Sequence, residues 1–339
     1  MHVMPAEVSI IVPVWNGRAI LERLLTCLRV QTHPITQILV MDNGSEDGAP
    51  ELAERLGARV IRMGSNTGFS RAVNRGIREC TTEWLAIINS DVEPEPDWLG
   101  RLMETARTPG VWFAAGKLFS ASRRDTIDGT YDAICRGACA WRVGHGRPDG
   151  PEFSRARAIW FAPGTASIFR TELFRHVGFL DEGFESYLED VELGLRCACL
   201  NYAGRYAPDA VAYHMGSATL GQWHPTTVRR ISRNQVLLVA KYYPRRLLFR
   251  LVWPVLVAQS LWGAVALRHG KFWAFLRGKL DGLLSFRAAR RSGLPSVIEP
   301  ARFLQLLQES ESEIKRIQGQ TGFDWYWRVY FMLTPGGAD

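Results

Sequence analysis

The chain has 339 residues, 47 % of them hydrophobic, which suffices for one large domain or for a domain with an appendage. Its net charge of +7 is unevenly spread. Fourteen of the 41 Lys/Arg but only one of the 34 Asp/Glu, Asp281, lie between Arg229 and Arg291, so the rest of the chain is net acidic. The six cysteines form no Cys-x-x-Cys pair and no framework spacing, which excludes a disulfide scaffold and points to buried, reduced thiols in a cytosolic protein. No charged segment followed by an apolar run marks a secretory signal.

Val8–Val12 reads as a short apolar strand, broken by Pro13-Val-Trp-Asn-Gly17. Ala19–Arg29 then carries Ile20, Leu21, Leu24, Leu25 and Leu28 at helical spacing. Gln37–Met41 is a second strand, running into Asp42-Asn-Gly-Ser-Glu-Asp-Gly48, and Pro50–Leu56 a helix stopped by Gly57. Arg59–Met63 is a third strand, and Asn66-Thr-Gly-Phe-Ser70 leads into helix Arg71–Arg78. Trp84-Leu-Ala-Ile-Ile88 is an unalternating apolar run, the pattern of a strand buried on both faces, and it ends in Asn89-Ser-Asp91. Asp97 is placed to cap helix Trp98–Ala106.

Strands alternating with helices at short spacing give βαβ units and a mostly parallel sheet. Ligands of such sheets bind beyond the carboxyl ends of the strands. The polar clusters Pro13–Asn16, Asp42–Asp47 and Asn89–Asp91 would therefore share one edge, where Asp91 could hold a divalent cation against a diphosphate. An ordinary turn is the plain alternative for Asn-Ser-Asp. No Gly-x-Gly-x-x-Gly follows the first strand and no P-loop is present, so dinucleotide redox chemistry and P-loop hydrolysis are not supported.

A second part starts near Gly116. Residues 120–158 show little periodicity and read as a long loop or an acceptor-side insertion. Phe161–Arg170 returns to strand, Glu172–Val177 is a short helix, and Gly178–Asp190 enters helix Val191–Leu200. Gly204–Tyr206 and Ala210–Tyr213 are strand-like and end at His214-Met-Gly-Ser217. Beyond this, Leu251–Leu267 is uncharged for seventeen residues, the short limit of a spanning helix, and contains Pro254 and Gln259. Lys271–Ala288 sets Phe272, Leu276, Leu280, Leu283 and Leu284 along one side, with Lys271, Arg277, Lys279 and Arg287 as a basic polar surface, the pattern of an interfacial helix. Two helices packed on the domain are the alternative. Phe303–Ile317 is helical, and Phe323-Asp-Trp-Tyr-Trp327 is an aromatic cluster that could form an interface.

The motifs, taken together over residues 6–217 and more loosely to 250, resemble an inverting family-2 glycosyltransferase of the GT-A fold. They are Val12-Pro-Val-Trp-Asn16, Val40-Met-Asp-Asn-Gly-Ser-Glu-Asp-Gly48, Asn66-Thr-Gly-Phe-Ser-Arg-Ala-Val-Asn-Arg-Gly76, Asn89-Ser-Asp91, Gly178-Phe-Leu-Asp-Glu-Gly-Phe184, Tyr187-Leu-Glu-Asp-Val-Glu-Leu193 and Tyr213-His214. Asn-Thr-Gly-Phe, the Asn-x-Asp form and the basic extension are most similar to bacterial rhamnosyltransferases, which use dTDP-L-rhamnose and polyprenyl-diphosphate-linked acceptors.

The resemblance implies a GT-A, Rossmann-like domain over 1–225, with a nucleotide-sugar half at about 6–117 and an acceptor half at about 118–225. Basic amphipathic helices over 226–291 and a helical, aromatic segment over 292–339 would follow. Pro13 and Asn16 would line the nucleotide pocket, and Asp42 would accept from a pyrimidine N3–H with Asn43 and Ser45 nearby. Asn66, Gly68, Phe69 and Asn74 would flank nucleotide and sugar, as would Asn89, Ser90 and Glu189. Asp91 and His214 would bind Mg²⁺ or Mn²⁺; Asn89 replaces the first carboxylate of the family's Asp-x-Asp. Asp190 would be the base that takes the acceptor's proton. The absence of Gln-x-x-Arg-Trp implies non-processive transfer. Partners would be the donor, a lipid-linked saccharide and an anionic membrane surface at the cytoplasmic face, with no nucleic acid; an oligomer is possible. A UDP-hexose donor, or an inactive nucleotide- or carbohydrate-binding relative, are the alternatives.

Overall fold

The computed structural model describes residues 6–216, 221, 223–293 and 299–336; Ser217, where the resemblance ends, lies outside them. Two compact units are formed, one of residues 6–131 with 144–216, the other, over the described residues, of 132–143 with 223–336.

In the first unit the apolar runs become β1 (Val8–Val14), β2 (Gln37–Asp42), β3 (Arg59–Arg62) and β4 (Trp84–Ile88), with α1 (Arg18–Arg29), α2 (Ala49–Arg55) and α3 (Phe69–Glu79) between them. β5 (Val92–Pro94), α4 (Trp98–Ala106), β6 (Phe113–Ser120) and β7 (Arg123–Gly129) follow. After the hairpin β8 (Asp132–Ile134) and β9 (Ala140–Arg142), which belongs to the second unit, come β10 (Arg157–Ile159), β11 (Ala166–Arg170), α5 (Leu173–Val177), α6 (Glu189–Cys199) and β12 (Gly204–His214). The ten-stranded sheet has the order β10-β12-β6-β11-β4-β1-β2-β3, with β5 on β12 and β7 on β6.

β4 is buried at every residue because it lies between β1 and β11, with helices over the sheet. β1 pairs in parallel with β2 and β4, so Val14, Asp42 and Ile88 end on one edge. α1 covers this half with Leu21, Leu24, Leu25 and Leu28, each worth about 1.5–3 kcal/mol of burial. α3 is drawn onto the sheet at Gly76, where a Cβ would stand 2.7 Å from Ile11 Cγ2. β11 breaks the parallel run, antiparallel to both β4 and β6, while β12 runs parallel to β6.

Several expectations are corrected. Residues 120–158 are not a loop: they hold β7, the β8–β9 hairpin and β10. Asp97 stands at the N-cap of α4 without capping it, its carboxylate being bonded to Arg101 instead. Three cysteines are buried and three half-buried, all free.

Among the described residues the second unit has five helices and the β8–β9 hairpin: α7 (Pro225–Tyr242), α8 (Arg245–Arg268), α9 (Phe272–Ser292), α10 (Pro300–Thr321) and α11 (Trp325–Leu333). Gly278 and Gly282, one turn apart, let α9 lie against α7; a Cβ at Gly282 would stand 2.7 Å from Val236 Cβ. Lys279 between them is turned inward, and its Nζ donates to Ser232 O, Gln235 Oε1 and Gln259 Oε1. It is not part of the basic surface that the sequence pattern assigns it to. The hairpin is locked to α10 by Arg136, whose Nε and Nη2 both reach Glu311 Oε1, at 2.9 and 2.7 Å. The aromatic cluster is turned partly inward: Trp327 is buried against Trp141, and half-buried Tyr326 donates to Ala258 O. Only Trp325 of its Trp and Tyr residues is exposed.

Candidate active site

The loops after β1 and β2 are stitched together at the sheet edge. Asn16 takes a left-handed φ of +58°, which Asn tolerates better than most residues. Its N–H donates to Ser45 Oγ at 2.8 Å, and its Oδ1 accepts from Glu46 N at 3.0 Å. Asp42 is buried, with Oδ1 accepting from Ser45 N at 2.9 Å. Pro13 and Asn16 are half-buried at this edge.

Asn43 builds the next turn. Its Oδ1 accepts from Thr67 N and Oγ1, and its Nδ2 donates to Gly68 O. Asn66 closes the turn by accepting Gly68 N at 3.1 Å. Gly68 needs to be glycine twice over: its φ is +87°, and a Cβ would lie 3.3 Å from Glu185 O. Asn74 does not flank a ligand as expected. It is 1 % exposed, and its amide is spent on Leu180 N, Leu180 O and Glu182. It holds the loop that leads to α6. In that loop Glu185, Tyr187 and Leu188 all have positive φ, a concentration of backbone strain typical of functional segments.

The strained loop delivers two neighbouring carboxylates into different surroundings. Glu189 is buried. Asp190 is half-buried, with Oδ2 accepting from Gly164 N at 2.9 Å and Oδ1 from Val191 N at 2.8 Å. A Cβ on Gly164 would touch both the Phe69 ring and Asp190 Cβ, so Phe69 and Asp190 border one spot. The adjacent Thr165 accepts Asn89 N at 2.8 Å. Gly164 and Thr165 thus tie Asp190 to the Asn89-Ser90-Asp91 turn after β4.

On the other side of that turn, His214 at the end of β12 lies between two carboxylates. Its Nε2 is 3.3 Å from Asp91 Oδ1, and its Nδ1 is 2.7 Å from Asp128 Oδ2. Burial alone would depress the imidazole's pKa, but the hydrogen bonds and charges of Asp128 and Asp91 outweigh it and push it up to about 9. Asp128, on β7, is the residue the sequence does not reveal; its only local signal is an Asp-Gly pair at a strand end.

Among the described residues no three His, Cys, Asp or Glu side chains converge as a ready metal cage. A two-ligand site does fit. The 3.3 Å between Asp91 Oδ1 and His214 Nε2 suits adjacent donors each about 2.1 Å from one cation. Asp128 would fix the ring by holding Nδ1–H, the usual outer partner of a ligating histidine. Asn89 Oδ1 is buried without a protein hydrogen bond, an acceptor left for a bound group.

A half-parallel α/β sheet with flanking helices is the GT-A architecture. The family model for Glycosyl transferase family 2 matches residues 9–178, half of the chain, and the chain belongs to that family. It is 27 % identical over 230 residues to the N-acetylglucosaminyl-diphospho-decaprenol L-rhamnosyltransferase of Mycobacterium tuberculosis (strain ATCC 25618 / H37Rv), covering 60 % of this chain and 74 % of the relative. It is 25 % identical over 311 residues to the succinoglycan biosynthesis protein ExoA of Rhizobium meliloti (strain 1021), covering 88 % and 77 %. Among solved structures, GalNAc-T7 with UDP, GalNAc and Mn²⁺ shares the fold at a TM-score of 0.63 and 14 % identity, over 94 % of this chain and 58 % of that one.

Proposed function

We propose that the protein is a metal-dependent, inverting, non-processive rhamnosyltransferase that moves L-rhamnose from dTDP-L-rhamnose to a prenyl-diphosphate-linked saccharide at the cytoplasmic face of the membrane. The observation that carries the mechanism is the bridge through Gly164 and Thr165, which ties Asp190 to the Asn89–Asp91 turn. Direct displacement at an anomeric carbon asks for two things: a base for the acceptor hydroxyl and compensation for the charge of the departing diphosphate.

Asp190 is the base. Two backbone N–H groups aim its carboxylate, and it stays open enough to receive a proton. Asp91 and His214 would hold the cation, His214 giving up its Nε2 proton to do so, Asp128 would keep the imidazole oriented, and Mg²⁺ or Mn²⁺ would supply positive charge for the departing diphosphate. Asp42, Asn43, Ser45 and Asn16 form the base and ribose end. Gly68 and Phe69 border the sugar next to Asp190.

The donor and acceptor class rests on likeness to the mycobacterial rhamnosyltransferase. The test is nucleoside diphosphate release from a panel of dTDP- and UDP-sugars with Mn²⁺ and a prenyl-diphosphate-GlcNAc mimic. Turnover confined to dTDP-L-rhamnose is expected. Turnover with a UDP-hexose instead would overturn the rhamnose assignment and keep the mechanism.

A further inference from the structure

α8 is long and apolar enough to cross a bilayer by length and composition. Its surroundings argue otherwise. One face, Leu247, Leu251, Pro254, Val257, Ala258 and Gly263, is buried within the second unit. α10 packs on α8 and presents Arg302, Gln305, Glu309, Lys315 and Arg316 to the outside. A spanning α8 would carry those charges into the hydrocarbon, where each is expensive.

The other face of α8 is a continuous stripe: Phe249, Val252, Trp253, Leu256, Ser260, Ala264 and Leu267, all exposed and all uncharged. Their spacing keeps them on one side of the helix. Phe249 is 86 % exposed. α9 repeats the arrangement with Trp273, Leu280, Leu283 and Leu284, the last 85 % exposed, and sets Arg277, Arg287 and Arg291 beside them. Arg245, Arg246 and Arg250 are exposed at the start of α8, and Arg268 at its end. Between the two helices lies an open groove of about 370 Å³, lined by Leu256, Leu267, Phe272 and Phe275 together with Gln259 and Lys279.

We infer that α8 and α9 form an in-plane docking surface for an anionic lipid bilayer. The apolar stripes enter the headgroup–acyl boundary, and the arginines meet lipid phosphates. Two observations commit the surface to a membrane. The apolar residues are aromatic and leucine side chains rimmed by arginine, the composition of an interfacial helix. The region from Arg229 to Arg291 carries a single acid, Asp281, and that one is taken by Arg229. A protein partner would have to match an almost wholly cationic rim around a bare apolar centre, whereas an anionic bilayer does so everywhere.

The test uses the full chain with vesicles of phosphatidylglycerol and of phosphatidylcholine. Wild type is expected to float with phosphatidylglycerol vesicles, to bind phosphatidylcholine far less, and to be stripped by alkaline carbonate without detergent. The double variant Phe249→Glu/Leu284→Glu changes only exposed side chains, so its circular dichroism should match wild type. Its partitioning should fall by at least about tenfold. Its diphosphate release with a short soluble acceptor should be unchanged, which separates this inference from the catalytic assignment. Absence of vesicle binding by the wild type, or retention in the vesicles after carbonate, would overturn the in-plane surface. So would a wild-type dimer that the double variant dissociates while vesicle binding is equal in both.

Discussion

Asp128 Oδ2 and His214 Nδ1 lie 2.7 Å apart, joining β7 to the end of β12 across 86 residues of sequence. The contact turns a lone strand-end histidine into an oriented one, with Nε2 facing Asp91. Replacing Asp128 by Ala removes no ligand but frees the ring. Loss of such an outer partner typically weakens metal binding about 10–100-fold. Manganese titration of the nucleotide complex should register that loss in Asp128→Ala with the fold intact. Unaltered manganese affinity would mean that His214 does not ligate.

A second expectation concerns the hairpin of the second unit. Arg136 and Glu311 are almost wholly buried, and Tyr330 also donates to Glu311. Breaking such a pair by one substitution leaves a buried charge uncompensated, at a cost of about 3–5 kcal/mol. Urea unfolding of Glu311→Ala should show a loss of this size. Arg136→Met/Glu311→Leu should recover most of it, because two apolar side chains need no counter-charge.

Lys279 provides a pH test. Burial lowers its pKa from an ordinary 10.5 to about 8, with no carboxylate among its hydrogen-bond partners. The unfolded chain then holds more protons than the folded one between those values, so stability rises with pH across that window. Below about pH 8 the folded protein carries the full cost of a buried ammonium. Melting temperatures of wild type and Lys279→Met should therefore converge in wild type's favour as pH goes from 8 to 10. A gap that does not change with pH would mean that Lys279 is solvated.

The parallel half of the fold is legible in the sequence because β1 and β4 are apolar runs and α1 and α4 keep helical spacing. β6 is not. Phe-Ala-Ala-Gly-Lys-Leu-Phe-Ser holds a glycine and a lysine at its middle, and both have distant causes. A Cβ on Gly116 would strike Ala210 on β12, and buried Lys117 is neutralised by Asp149. Likewise Asn74 looks like a ligand in its motif, yet its partners, Leu180 and Glu182, are more than a hundred residues away. Lys279 looks like a surface charge until Gly278 and Gly282 bring its helix onto α7. In each case the local pattern is silent about a contact made across the chain. Asp190 and Asp91 differ in standing within the motifs that carry the resemblance, so the sequence points to them without any distant contact.

The most direct test of the catalytic assignment compares wild type with Asp190→Asn. Single-turnover dTDP release would be followed with Mn²⁺, dTDP-L-rhamnose and the lipid-linked GlcNAc mimic, with nucleotide affinity measured in parallel. Asparagine keeps an oxygen for Gly164 N but cannot take the acceptor's proton. The expected result is a rate lower by about 10²–10⁴ with nucleotide affinity unchanged. A variant that turns over at the wild-type rate would contradict the assignment and put the base elsewhere.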